Sequence, residues 1–231
     1  GDAATPQIRN VATVGGNLLQ RPRCWYFRSE QFHCLKKGGD TCFAQDGENQ
    51  YHAIFANQPC AIVHPSATAT ALVALGASIE VTSAAGRREV PLNGFFTLPE
   101  EDVSRENSLG ANELITAIVV PAPAAGTKSA YADVGEKESF DWPIGEAAVV
   151  LQMDGNVCRA ASVVLGAVAP IPWRSKAAEA ALVGRTLDAA TIAAAAAASV
   201  AGATPLKENS YKVAIAQTLV RRTIAAAVAG Q

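Results

Sequence analysis

Four cysteines gather near the start of the chain, at Cys24, Cys34, Cys42 and Cys60. Four thiolates hold either a zinc ion or a four-iron cluster. Zinc ribbons place their ligands in close pairs such as C-x-x-C, and no such pair occurs here. Separations of ten, eight and eighteen positions suit a cubane cluster, which spans a larger volume. At this point a cubane, a zinc ion and four unrelated thiols are all open readings. Arg21, Arg23, Lys36 and Lys37 bring positive charge to this stretch, which stabilises thiolates. His33 adjoins Cys34, where a histidine can donate to it or replace it as a ligand, but it too reads first as a packing residue. His52 and His64 flank Cys60 and read as packing residues, with no carboxylate or serine at the spacing of a nucleophilic triad. The fifth cysteine, Cys158, lies far away in a predicted hairpin and reads as a buried thiol. An odd total makes a poor disulfide framework, and a chain this long needs no such staple.

A second motif precedes the cysteines. Thr13-Val14-Gly15-Gly16-Asn17 pairs two glycines, which allow positive φ and close backbone approach to a ligand. Their amides form an anion-binding concavity suited to a pyrophosphate, and Asn17 adds a side chain that donates and accepts. The same five residues also read as a turn before a short helix. They are not the dinucleotide-fold fingerprint, because no strand precedes them at the required spacing.

The elements that must position these residues follow from composition and pattern. The chain has 231 residues, and 49% are apolar against 17% charged, a balance that supports packed cores rather than disorder. Its net charge of −2 gives no overall field for a phosphate backbone, which argues against nucleic acid as a partner. No apolar run is long enough to span a bilayer, and no basic start leads into an apolar run. A cytoplasmic protein is therefore expected, or a periplasmic one if it is exported together with a partner. Residues 1–60 read as loops with short turns. Ser66 caps a helix over 67–75, which Gly76 ends. Strands follow at 78–82, 89–92 and 113–120. Residues 121–126, rich in proline, read as a linker. Runs at 147–153 and 157–166 flank Asp154-Gly155, a strong hairpin signal. Helices are expected over 175–182, from Asp188 to about 201, and from 209 or 210 to 228. The alanine run at 193–198 reads as a buried helix.

Together these residues resemble a known family. The stretch Thr13-Val14-Gly15-Gly16-Asn17-Leu18-Leu19-Gln20, followed by Arg23-Cys24-Trp25-Tyr26-Phe27, is similar to the flavin (medium) subunit of molybdenum hydroxylases of the xanthine dehydrogenase family. Further matches are Cys34-Leu35-Lys36-Lys37-Gly38-Gly39, Gly47 to Ile54, His64-Pro65-Ser66, Gly166 to Pro170 and Asn209-Ser210-Tyr211-Lys212. Within the family the chain resembles the iron–sulfur-bearing branch, with the 4-hydroxybenzoyl-CoA reductase medium subunit and the aldehyde oxidoreductase flavin subunits. The resemblance covers essentially the whole chain.

The resemblance implies an α+β fold in two domains. Residues 1–122 would be part of a PCMH-type FAD-binding domain with a cysteine-rich loop at about 21–60. Residues 127–231 would be a C-terminal domain like that of CO dehydrogenase flavoproteins, a small antiparallel sheet plus helices. It further implies an electron-transfer subunit with a [4Fe-4S] cluster on Cys24, Cys34, Cys42 and Cys60. FAD would lie on Thr13, Val14, Gly15, Gly16, Asn17, Leu19 and Ser66. The implied partners are a molybdenum-cofactor large subunit, a [2Fe-2S] small subunit and a chain supplying the N-terminal part of the FAD site. Three departures bear on FAD. The N-terminal part of the family domain, with another glycine-rich loop for the opposite side of FAD, is expected to be absent. Ser66-Ala67 stands where the family has Ser-Asp, and Tyr131 to Glu136 lacks the usual basic residues. The last two motivate a second reading, a flavin-less structural or docking subunit.

Overall fold

The structure, a computed structural model, describes residues 4–137 and 140–230. The first sixty residues are mostly turns, as expected, but carry three short helices: α1 (Pro6–Val11), α2 (Val14–Leu18) and α3 (Trp25–Arg28). A 3-10 turn follows at Leu35–Lys37. Helix α4 (Ala67–Ala74) starts where Ser66 Oγ accepts from Ala69 N at 3.1 Å. It ends before Gly76, whose φ of 68° lets the chain reverse without a Cβ clash.

The chain then builds a three-stranded antiparallel sheet from β1 (Ser78–Ser83), β2 (Gly86–Pro91) and β3 (Leu114–Val119), in the order β2-β1-β3. Only the central strand can bury side chains well. Ile79 and Val81 of β1 pack with Leu92, Phe95 and Phe96 under α4.

The segment 121–126 joins this sheet to a second one. That sheet is antiparallel in the order β4-β5-β6-β7, from β4 (Thr127–Val134), β5 (Gly145–Asp154), β6 (Val157–Gly166) and β7 (Trp173–Arg174). The Asp154-Gly155 hairpin forms as its sequence dictates, with Asp154 opposite Val157 and Gly155 at φ 56°. Strand β4 was missed by pattern because it lacks a β-branched run. Pairing with β5 from Thr127 to Val134 makes it a strand regardless.

Strands β5 and β6 explain how the two sheets lock together. Successive side chains point to opposite faces. Ala147, Val149 and Leu151 face one core, while Ala148 faces the other. On β6, Val163 and Leu165 join the first core and Val164 the second. Helices α5 (Lys176–Leu182), α6 (Ala189–Val200) and α7 (Tyr211–Ala229) cover one face, and α4 lies on the other. Ser175 and Asp188 cap α5 and α6, at 3.3 Å to Ala178 N and 2.7 Å to Thr191 N. The alanine-rich α6 buries one stripe, Ile192, Ala195, Ala196 and Ser199, rather than its whole surface. Cys158 is fully buried in β6, as expected for a packing thiol. Among the described residues no helix is long and apolar enough to cross a membrane.

Candidate functional site

The four clustered cysteines line one narrow space of about 10 Å³, whose walls include Phe27, Phe43 and Ile62. Each thiol is delivered by a different local device. Cys24 precedes α3, and the amides of Tyr26 and Phe27 donate to its sulfur. Cys34 precedes the 3-10 turn, and its strand-like pairing with Thr41 sets the approach to Cys42. Amides of Ala61, Ala44 and Gln45 reach Cys42 Sγ, and that of Ile62 reaches Cys60. Amide donors at sulfur favour the thiolate, the form that binds metal. The two neighbouring thiols Cys42 and Cys60 titrate together, the Cys60 thiol holding Cys42 below the ordinary thiol range while Cys60 is pushed up. Burial pushes Cys24 up to about 11.

The turn between Cys34 and Cys42 depends on a glycine. A Cβ on Gly39 would collide with the His33 carbonyl oxygen. Gly39 N also donates to Cys34 O at 3.1 Å, so the backbone cannot simply move away. Gly39→Ala is expected to destabilise the protein by about 1–3 kcal/mol, read from urea unfolding. An unchanged midpoint would show that the turn is plastic.

The expected cations behave differently from one another. Lys36 is buried, donating to Val103 O at 2.8 Å and Arg105 O at 3.0 Å and pairing with Glu106 at 2.9 Å. Arg21 grips the same carboxylate at 3.0 Å. Glu106 thus takes up much of the positive charge assigned to the thiols, although Lys36 still favours the Cys60 thiolate. His33 is exposed. The histidine that meets a thiol is instead His52, with Nε2 at 3.2 Å from Cys24 Sγ. Burial, with a further push from Lys212, lowers the His52 imidazole to about 4, so the ring is neutral at neutral pH.

The second half of the chain holds the cysteine stretch in place. Lys212, fully buried at the start of α7, donates to the carbonyls of Tyr51 at 3.2 Å, His52 at 3.1 Å and Ala167 at 2.6 Å. Asn209 Nδ2 donates to His52 O and Ala53 O, both at 3.1 Å. Glu208 and Asn49 exchange two further bonds, Asn49 N to Glu208 Oε2 at 3.1 Å and Glu208 N to Asn49 Oδ1 at 2.9 Å.

Beside the thiols lies a larger cavity of about 380 Å³. Trp25, Tyr51 and Trp142 give it aromatic walls, and Arg23 stacks over the Trp142 ring at 4.9 Å. Buried polar atoms without a partner border it: Trp25 Nε1, His52 Nδ1, His64 Nε2 and Glu146 Oε2. Orphaned buried polar groups are rare, and several residues that carry one line this cavity. Ala167, also on its wall, has φ 58°, a conformation L-residues seldom adopt. Burial pushes the Glu146 carboxyl up to about 7, against pulls from the Thr70 hydroxyl and Lys212 and with a push from Asp133.

The Thr13–Asn17 motif is a short helix, not a turn with left-handed glycines. Neither Gly15 nor Gly16 has positive φ. Thr13 Oγ1 caps it by accepting from Gly16 N at 3.0 Å. Gly15 instead allows close approach to β3, since a Cβ there would meet Ile115 at 3.4 Å. Ser66 comes to this motif from 49 residues away, donating to Asn17 Oδ1 at 2.5 Å while it caps α4. Leu19 is partly buried just beyond, packed against the core beneath α4.

The chain matches the family described as FAD binding domain in molybdopterin dehydrogenase over residues 1–123. It belongs to that family of FAD-binding subunits of molybdopterin dehydrogenases. Residues 129–227 match the CO dehydrogenase flavoprotein C-terminal domain. The aldehyde oxidoreductase FAD-binding subunit PaoB of Escherichia coli is 35% identical over 230 residues, covering 98% of this chain and 67% of that one. The carbon monoxide dehydrogenase medium chain of Hydrogenophaga pseudoflava is 34% identical, over 97% of this chain and 63% of that one. The carbon monoxide dehydrogenase structure from that organism lacking the Mo-pyranopterin moiety superposes with a TM-score of 0.68. It is 30% identical and covers 99% of this chain and 64% of that chain. The chain thus spans about two thirds of the length of the relatives it matches. By family it is an oxidoreductase subunit, and its α+β fold is that of these flavoprotein subunits.

For this flavoprotein-family subunit, the sequence offered the thiols, the Thr13–Asn17 motif and Ser66 as candidates, and the structure brings the four thiols to one space and Ser66 to Asn17. Sequence reasoning missed His52, Glu106 and Glu146, whose roles come from partners distant in sequence. Glu146 carries a pH signature. An unfolded glutamate titrates near 4.5, so between about 4.5 and about 7 the folded subunit keeps a proton that the unfolded chain has released. Stability relative to Glu146→Gln is therefore expected to fall as the pH rises through that window, by roughly 3 kcal/mol in all. Urea unfolding of both proteins at its two ends checks this, and a flat difference would refute it.

Proposed function

We propose that this subunit relays electrons within a molybdenum-containing dehydrogenase complex, carrying a [4Fe-4S] cluster and FAD, while substrate oxidation takes place on a partner subunit. The observation that carries the cluster is the single space lined by Cys24, Cys34, Cys42 and Cys60, with amide donors already aimed at three of the sulfurs. Among the described residues no three His, Cys, Asp or Glu side chains converge tightly enough for one metal ion. A [4Fe-4S] cluster supplies reversible one-electron transfer, and the apolar walls and N–H donors tune its potential.

Family membership supports FAD. The larger cavity is within the usual range for small-molecule sites, and its tryptophans and orphaned polar atoms suit a planar ring with hydrogen-bonding edges. Thr13, Val14, Gly15, Gly16, Asn17 and Leu19 would face the rest of the cofactor, with Ser66 holding the Asn17 side chain. The partners in this reading are a molybdenum-cofactor large subunit, a [2Fe-2S] small subunit and whatever chain completes the FAD site. The domain limits stay at 1–122 and 127–231, and the location is the cytoplasm, or the periplasm after co-export.

Iron, acid-labile sulfide and flavin assays on the anaerobically purified complex test the proposal. Iron and sulfide in equal amounts together with FAD are expected. Zinc without sulfide would overturn the cluster, and a complex with the cluster but no flavin would favour the docking reading.

A further inference from the structure

The wall between the two cavities is made by particular side chains. Cys24 and His52 line both the thiol space and the larger cavity. Their contact is direct, Nε2 to Sγ at 3.2 Å. His52 Nδ1 is buried without a partner, so the ring makes its one hydrogen bond to sulfur. Once Cys24 is a metal-bound thiolate it has no proton to give. The contact then survives only if Nε2 carries the hydrogen and donates.

The ring has little freedom to leave. The Trp25 indole meets it edge-on with centroids 5.0 Å apart. His52 N donates to Asn49 O at 3.0 Å, and His52 O accepts from both Asn209 and Lys212. A histidine serving only as filler has no need of three backbone anchors and a bare buried nitrogen.

We infer that His52 is a positioning residue that donates an N–H···S bond to Cys24 and, with it, forms the partition between the cluster and the ligand of the larger cavity. The inference rests on the reading of the four thiols as cluster ligands. A hydrogen bond that withdraws charge from a ligating sulfur favours the reduced cluster. Asn209 and Lys212, more than 150 positions away in sequence, keep the donor in place.

The test is an EPR-monitored redox titration of the cluster-loaded protein, comparing wild type with His52→Gln, which keeps an N–H donor, and His52→Leu, which does not. The Leu variant is expected to lower the reduced-to-oxidised ratio at a fixed potential about tenfold, ~59 mV for one electron. The Gln variant should restore most of it. Equal potentials in wild type and His52→Leu would overturn the inference while leaving the cluster intact. A wild-type protein without iron and sulfide would overturn the cluster reading and this inference together. Should His52→Leu fail to fold, pulsed EPR on wild-type protein labelled with 15N-histidine decides alone. Coupling of the reduced cluster to a histidine nitrogen supports the bond, and its absence refutes it.

Discussion

Cys42→Ser is expected to purify folded but without iron and without acid-labile sulfide. Cys42 is the junction of the thiol set. Its sulfur receives the amides of Ala44, Gln45 and Ala61 and faces the Cys60 thiol, which favours its thiolate. Serine retains the size of the side chain but is a hard, poorly acidic ligand, and a cubane with three thiolates is easily lost. The fold should tolerate the change, because the main cores lie elsewhere, around β5 and β6 and beneath α4. Cys158→Ser is the matched control. Its thiol donates to Ala160 O inside β6 and does not line the thiol space, so iron should be unaffected. Iron and sulfide assays with far-UV circular dichroism on the two variants settle the matter. Full iron in Cys42→Ser would remove this residue from the ligand set.

Lys212→Met is expected to cost about 3 kcal/mol of stability and to loosen the cysteine stretch from α7. Methionine matches the length of the lysine stem but leaves the carbonyls of Tyr51 and Ala167 without their Lys212 donor, and His52 O with Asn209 alone. Each buried carbonyl left unpaired costs about 1–3 kcal/mol. The gain from no longer burying an amine offsets part of this, and that burial lowers the Lys212 amine to about 7. Urea unfolding measures the loss, and hydrogen exchange of the His52–Phe55 amides reports the loosening. Ile54 and Phe55 donate to Val168 O at 2.9 and 3.1 Å, so their protection should fall when the neighbouring anchor goes. Undiminished protection would mean that Asn209 and the Glu208–Asn49 exchange suffice.

The strengths and blind spots of the sequence follow from the range of the forces involved. Ser66 and Asp188 were readable as caps because a cap is a contact three residues long. Asp154-Gly155 was readable as a hairpin because its turn dictates positive φ locally. The four cysteines from Cys24 to Cys60 stood out as candidates because few residue types can hold a metal, and the fold brings them to one space. Strand β4 was not readable, since its pairing with β5 overrides a weak local preference. The paired glycines misled because two glycines signal freedom, whereas here they form a short helix against Ile115.

The sequence by itself determined the family, the order of most elements and the candidate ligands. Tertiary structure alone decided which histidine meets a thiol, which carboxylate neutralises Lys36, and that Lys212 and Asn209 clamp a loop more than 150 positions upstream. Those choices depend on directional polar contacts made after the cores pack. A buried polar group must find a partner wherever the packed chain happens to bring one.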